Sequence, residues 1–378
     1  MKIAIVHDWL VTYAGAERVL EEMLAVYPHA DLFSLIEFLP DGERQFLGGR
    51  QVRTSFLQRM PGARKHYRSY LPLMPVAVQL FDLSAYDLVI SSSHAVAKGV
   101  PTREDQLHIC MCYSPMRYAW DLKDQYLRET GLDRGAKGMA ARWLLQRMRS
   151  WDARTADSVD RFIAISNFIA QRIWNSYRRE STVIYPPVDV ENLTPGGSRE
   201  DFYVTASRIV PYKRMDVIVD AFAAMPERRL VVIGDGPEQR RIRGRAGSNV
   251  TFLGHQPFEV LRDHLRRARA FVFAAEEDFG IAPLEAQACG TPVIAYGRGG
   301  VLETVRGLDS PHPTGIYFNE QSSSSVIGAV EEFERESTRI SPAACRENAL
   351  RFAPERFRRE FTGVVEWALD RFRTGRLR

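Results

Sequence analysis

Short apolar runs, separated by amphipathic stretches, recur along most of this chain. In the first half they occupy residues 2–8 (KIAIVHD), 31–36 (DLFSLI), 87–93 (DLVISSS), 107–113 (LHICMCY), 161–166 (RFIAIS) and 181–189 (STVIYPPVD). In the second half they occupy residues 202–207, 229–235, 250–254, 270–275 and 291–296. Helical patterns fall between them, such as 16–27, with Val19, Leu20, Met23 and Leu24 on one face, and 214–225. Strands alternating with helices predict the α/β class, with doubly wound parallel sheets whose two faces the helices cover. A chain of 378 residues is too long for one core, so two domains are expected. The Pro186-Pro187 pair and the polar stretch 191–201 (ENLTPGGSRED) break the rhythm and mark the link. This places an N-terminal domain at 1–188 and a C-terminal domain at 189–355. A last helical segment, 356–378, carries Phe357, Phe361, Val364, Val365, Trp367, Ala368 and Phe372.

Composition narrows the class. With 45% hydrophobic and 26% charged residues the chain reads as an ordinary globular protein. No run approaches the ~20 apolar residues that span a bilayer. The opening MKIAIVHDWL reads as a first strand rather than a signal peptide, because it is short and His7 and Asp8 interrupt it. A cytoplasmic location is therefore expected. Cys110, Cys112, Cys289 and Cys345 form no disulfide framework and have no CxxC or HxxxH partner, so they read as small buried apolar residues and no metal site is expected.

The net charge of +4 is mild but uneven. Between Arg50 and Tyr70 lie Arg50, Arg53, Arg59, Arg64, Lys65 and Arg68, interleaved with Phe56, Leu57, Met60, Tyr67 and Tyr70, and no acid. A second basic-aromatic stretch runs from Arg134 to Arg154, with Trp143 and Trp151. Such stretches suit either an anionic membrane surface or a solvated face over ordinary core. The pI is moderate and no nucleic-acid motif is present, so nucleic acid is not an expected partner.

The chemistry concentrates in a few loops. Residues 276–290 (EEDFGIAPLEAQACG) read as a strand-end loop and helix start, with Glu277 in the loop and Glu285 about one turn inside the helix. Backbone N–H groups of Gly280, Ile281 and Ala282 would open that helix and suit a phosphate. Two surface acids at a helix start would look the same. Upstream, Arg208 and Lys213 in SRIVPYKRMD follow a strand, where a forked guanidinium and a compact ammonium suit phosphate oxygens. Gly234, Gly236 and Pro237 in VVIGDGPEQRRI suit a tight strand-to-helix turn, with Pro237 at the first helical position. In the first half, Tyr13-Ala14-Gly15-Ala16-Glu17 follows strand one, and His94 in SSSHAVAKG follows another strand end. A lone histidine at such a place is either structural or a ligand contact.

Glu277 and Glu285 as E-x7-E, preceded by Arg208 and Lys213 as R-x4-K, resemble the retaining glycosyltransferases of family four, which have the GT-B fold. GGV (Gly299, Gly300, Val301) with Glu303 fits the same family, and the resemblance covers nearly the whole chain. It implies two Rossmann-like domains facing a central cleft, with the last helix crossing back to the first domain. By that resemblance Glu277 holds donor-sugar hydroxyls, Glu285 the ribose, and Arg208 and Lys213 the pyrophosphate. Gly15 would sit in the family's glycine-rich loop, though its usual Gly-Gly is Ala14-Gly15 here. His94 would touch the donor sugar as a positioner rather than a general base. No D-x-D stands in the sequence, which fits a transferase that uses fixed cations and helix termini in place of a metal. No cofactor is expected.

HDWL, the AGAER loop and YSPMRYAWD (113–121) are similar to segments of bacterial mannosyltransferases that build O-antigens and exopolysaccharides. That similarity implies GDP-mannose as donor and a lipid-linked or growing surface oligosaccharide as acceptor. Arg117, Tyr118, Trp120 and Asp121 would then meet the acceptor, unless they form a buried aromatic cluster under a loop. A UDP-sugar donor and a non-catalytic carbohydrate-binding subunit are the alternatives. An NAD-dependent dehydrogenase is disfavoured because no G-x-G-x-x-G follows strand one.

Overall fold

The computed structural model describes residues 1–120, 127 and 134–376. The chain divides into two compact units, one of Met1–Pro186 with Phe357–Arg378, the other of Pro187–Arg356.

The first unit is built on a seven-stranded parallel sheet. Its strands are β1 (Ile3–His7), β2 (Asp31–Ser34), β3 (Val52–Thr54), β4 (Leu88–Ser93), β5 (Leu107–Cys112), β6 (Arg161–Ala164) and β7 (Ser181–Val183). They lie in the order β3-β2-β1-β4-β5-β6-β7. β1, β4 and β5 are buried almost end to end, as expected for strands covered by helices on both faces. The second unit carries β8 (Tyr203–Ala206), β9 (Leu230–Ile233), β10 (Val250–Gly254), β11 (Phe271–Phe273), β12 (Val293–Tyr296) and β13 (Gly315–Phe318). Its order is β10-β9-β8-β11-β12-β13, again all parallel.

The order reverses once in each sheet, between β1 and β4 and between β8 and β11. A crevice opens at the carboxyl ends of such strands, because the connections leave in opposite directions. The loops there begin at Asp8 and His94 in one unit, and at Ser207 and Ala274 in the other. The sequence motifs therefore fall on the switch points.

The helices Gly15–Val26, Met215–Ala223 and Pro354–Arg373 form where the 3.6-residue pattern predicts them. The last buries Phe357, Phe361, Val365 and Ala368. Phe361 meets Tyr27 edge-on at 6.2 Å, and Arg358 pairs with Glu22 at 2.6 Å, so this segment packs into the first unit.

Some elements differ from the sequence reading. The basic stretch from Arg50 is irregular: it forms β3, 3-10 turns and the short helix Ala63–His66. β13 was not expected, and β7 ends at Val183 rather than running to 189. Pro237 does not open a helix but stands in a turn before Gln239–Arg243. The second basic stretch is one helix, Gly135–Thr155, with Leu145 and Met148 buried and Met139 and Trp143 exposed. All four cysteines are free and buried. No described helix is long and apolar enough to cross a membrane.

Candidate active site

In the second unit the strand ends bring both halves of the motif set together. β8 runs into Ser207 and exposed Arg208, and Pro211–Lys213 forms one 3-10 turn. Arg214 then takes a left-handed conformation (φ 52°) to enter the helix Met215–Ala223. From the neighbouring β11, the loop carries Glu277 to Gly280, whose φ of 90° starts the helix Ile281–Ala288. The Lys213 ammonium pairs with the Glu277 carboxylate, each side chain less than one-fifth exposed. The first N–H groups of a helix have no intrahelical acceptor, so Ile281 and Ala282 present theirs at this end.

Two glycine motifs explain how these loops stay in place. A Cβ on Gly236 would lie 2.1 Å from the Ile209 carbonyl, so the turn after β9 rests directly on the Arg208 loop. A Cβ on Gly300 would lie 2.4 Å from Phe279 Cα, and the Gly300 N–H donates to the Glu277 carbonyl at 2.8 Å. The Gly299-Gly300 turn thus packs against the Glu277 loop and supports it.

Arg208, Ala282 and Glu285 line one cavity of about 520 Å³. Ile233, Leu261, Leu265 and Phe271 give it apolar walls, and Ser207, Asp235, His255 and Gln256 add polar edges. Asp235 accepts the His255 N–H at 2.8 Å and the Gln239 amide at 2.9 Å, which ties the turn after β9 to the loop after β10. His255 and Gln256 escaped the sequence reading. Their cue is their place immediately after the edge strand β10.

In the first unit, Gly15 is the opening residue of its helix, with Ala14 as an extended N-cap whose N–H donates to Glu17 at 3.0 Å. His7 meets Ser92 Oγ at 2.8 Å and Glu17 at 3.4 Å, and the Tyr113 hydroxyl contacts Ser92 at 2.9 Å and donates to the Ala16 carbonyl at 3.1 Å. This buried polar mesh binds the ends of β1, β4 and β5 to the first turn of the helix. His94 lies beside it, with its ring edge-on to Trp9 at 4.5 Å. Burial holds the His94 pKa below the usual imidazole range, opposed mainly by Asp8.

The YSPMRYAWD segment divides. Trp120 donates its indole N–H to buried Asp152 at 2.8 Å, and Arg149 covers its ring at 4.1 Å. Asp152 also accepts from Tyr177 at 2.6 Å and pairs with buried Lys98. The Trp120 N–H is thus taken up by packing and is not offered to an acceptor sugar. Arg117 and Tyr118 are half-buried and engaged with neighbours. Asp121 lies outside the described residues.

The model for glycosyltransferase family 4 matches residues 13–192, and that for group 1 glycosyl transferases matches residues 195–352. The chain belongs to the family 4 glycosyltransferases. Among its relatives is a GDP-mannose-dependent monoacylated alpha-(1-6)-phosphatidylinositol monomannoside mannosyltransferase of Corynebacterium glutamicum, 32% identical over 39% of this chain and 47% of that protein. Another is the D-inositol 3-phosphate glycosyltransferase of Mycobacterium marinum, 28% identical over 60% of this chain and 54% of that protein. The matches thus span about half the length of these relatives.

Solved structures show the same GT-B fold for this family 4 member. Sucrose-phosphate synthase from Thermosynechococcus elongatus superposes with a TM-score of 0.75 at 19% identity, covering 98% of this chain and all of that one. Anabaena HepE in complex with UDP and glucose superposes at 0.69 with 17% identity, covering 97% and 99%.

Proposed function

We propose that this family 4 glycosyltransferase is a retaining enzyme that moves mannose from GDP-mannose to a lipid-linked or polysaccharide acceptor. The observation that carries the reading is the convergence of Arg208, the Lys213–Glu277 pair, the helix start at Ile281 and Glu285 around the cavity-bearing switch point of one sheet. A nucleoside fits the apolar-walled cavity, with Glu285 on the ribose hydroxyls. Arg208, Lys213 and the N–H groups of Ile281 and Ala282 take the pyrophosphate, and Glu277 takes sugar hydroxyls. In the transfer, the bond from the anomeric carbon to the phosphate oxygen breaks and the bond to the acceptor oxygen forms. The acceptor's hydroxyl proton passes to the departing phosphate. Negative charge grows on that phosphate, so fixed cations beside it lower the barrier. By the family resemblance, His94 and Gly15 are donor contacts in this reading, and Arg117 and Tyr118 acceptor contacts.

The mannosyltransferase relative supports GDP-mannose. The structural likeness to HepE, solved with UDP and glucose, favours a second reading in which the donor is a UDP-sugar. Thermal shift against GDP-mannose, UDP-glucose, UDP-galactose and UDP-N-acetylglucosamine separates the two, because only a ligand that binds the folded state raises the melting temperature. A stabilising effect from UDP-sugars and none from GDP-mannose refutes the first reading.

We also propose peripheral contact with an anionic membrane. Phe56, Leu73, Val76 and Leu80 are exposed in the segment that carries Arg59, Arg64, Lys65 and Arg68. Salt-sensitive flotation with anionic liposomes is the expected result, and its absence refutes this part.

A further inference from the structure

Asp8 is fully buried immediately after β1, at the switch point beside β4. Its carboxylate accepts four successive backbone N–H groups. Oδ2 takes those of His94 at 2.6 Å and Ala95 at 2.9 Å; Oδ1 takes those of Val96 at 2.6 Å and Ala97 at 2.7 Å. A carboxylate has about four lone-pair directions, and here one run of chain uses them all. A buried charge is tolerable only with such compensation, so Asp8 and the turn after β4 hold each other fixed.

His94 is the first residue of that turn. Its Nδ1 is buried and lies 3.2 Å from Asp8 Oδ2, at ion-pair distance rather than in a straight hydrogen bond. The side chain as a whole is 29% exposed, so the edge away from Nδ1, which bears Nε2, is the one that reaches outward. A lone pair on Nδ1 would face the carboxylate and be repelled, whereas an N–H there is attracted.

We propose that Asp8 is a positioning residue that acts through His94. It fixes the turn, keeps the neutral imidazole's proton on Nδ1, and leaves Nε2 as an outward acceptor for a hydroxyl of the bound sugar. The last clause rests on the reading of His94 as a donor contact; the tautomer does not. The ring is surrounded by His7, Asp8 and Trp9 from the end of β1, Glu17 from the first helix, Arg68 from the segment after Ala63–His66, and Tyr113 from the end of β5. Burial, His7 and Arg68 favour the neutral ring, while Asp8 and Glu17 oppose them.

The test is nitrogen NMR of the imidazole in the full chain labelled at histidine, with His94→Gln to assign the signal. The expected spectrum near pH 7.5 shows a neutral ring protonated on Nδ1. In Asp8→Asn that preference weakens, and the amides of His94 to Ala97 exchange with solvent at least roughly tenfold faster, each having lost an anionic acceptor. A ring protonated on Nε2 in the unmodified chain overturns the proposal, as does an unchanged tautomer in a folded Asp8→Asn protein. If Asp8→Asn does not fold, the spectrum of the unmodified chain alone decides. None of these readouts requires a sugar donor, so they stand or fall apart from the proposed reaction. Once a donor is in hand, Asp8→Asn and His94→Gln should lower kcat without additivity, the double variant being no worse than His94→Gln. Additive losses would make Asp8 an independent structural element.

Discussion

Lys213, on the 3-10 turn after β8, is paired with Glu277, on the loop after β11, with 18% and 17% of the two side chains exposed. The pair bridges the two strands between which the sheet order reverses. Each partner therefore fixes the other at the place where a ligand would bind. Replacing either with Ala should reduce kcat/KM by about 2–3 kcal/mol, roughly a hundredfold, with little change in melting temperature. Steady-state kinetics on both variants checks this. Unchanged turnover in both would remove the pair from the mechanism.

The glycine turns give a second prediction. Gly236→Ala and Gly300→Ala should each impair donor turnover, because the added methyl meets backbone of the Arg208 or Glu277 loop and the loop must move. Gly363→Ala is the control: it lies on an exposed helix face with nothing within 4 Å of the new methyl, and should stabilise by about 0.5–1 kcal/mol through helix propensity. Kinetics and thermal melting of the three variants test the contrast.

Buried Lys98 and Asp152 form an ion pair that also holds Trp120 and Tyr177. Removing one partner leaves a buried charge unpaired, at a cost of about 3–5 kcal/mol. Asp152→Ala should therefore lower the denaturant midpoint of the first unit sharply, read by tryptophan fluorescence. A shift typical of surface substitutions would contradict the pairing.

His108 supplies a pH dependence. Its ring is fully buried, accepts from Ser91 at 2.9 Å on Nε2 and donates from Nδ1 to the Ser158 carbonyl at 3.2 Å. Burial pushes its pKa down to about 4. Between about pH 6.5 and 4 the unfolded chain binds a proton at this site and the folded chain does not, so stability falls as pH falls through that window. The contribution reaches about 3 kcal/mol at the acid end. Denaturant unfolding at pH 7.5 and 4.5 should show this loss, and a folded His108→Gln variant should show a flatter dependence.

Much of this architecture was legible in the sequence because parallel strands buried on both faces read as continuous apolar runs. β1, β4, β5, β8 and β12 all announce themselves in that way. β3 (Val52–Thr54) does not: it is a three-residue edge strand with Arg53 at its centre, exposed and partly polar. β13 is likewise an edge strand, four residues long and preceded by a Pro-rich segment. At the site, Arg208, Lys213, Glu277 and Glu285 stand out in the sequence because R-x4-K and E-x7-E resemble family motifs, and the fold places all four at or beside one switch point. Asp8 does not, since nothing in the spacing of Asp8 and His94 to Ala97 reveals that β1 and β4 are neighbours. The bond from the Trp120 indole to Asp152 could not be read from the sequence, because Asp152 stands in the helix Gly135–Thr155 and only the fold brings the two together.

In the proposed reaction the cavity of the second unit holds a nucleoside diphosphate sugar, with Glu285 on its ribose. Isothermal titration of GDP-mannose into the unmodified chain and into Glu285→Ala tests it most directly, with UDP-glucose as the competing ligand. The predicted result is saturable binding of GDP-mannose, weakened about tenfold or more in Glu285→Ala, the loss expected when hydrogen bonds to a charged group are removed. Equal binding by both proteins, or no binding of either nucleotide sugar, would contradict it.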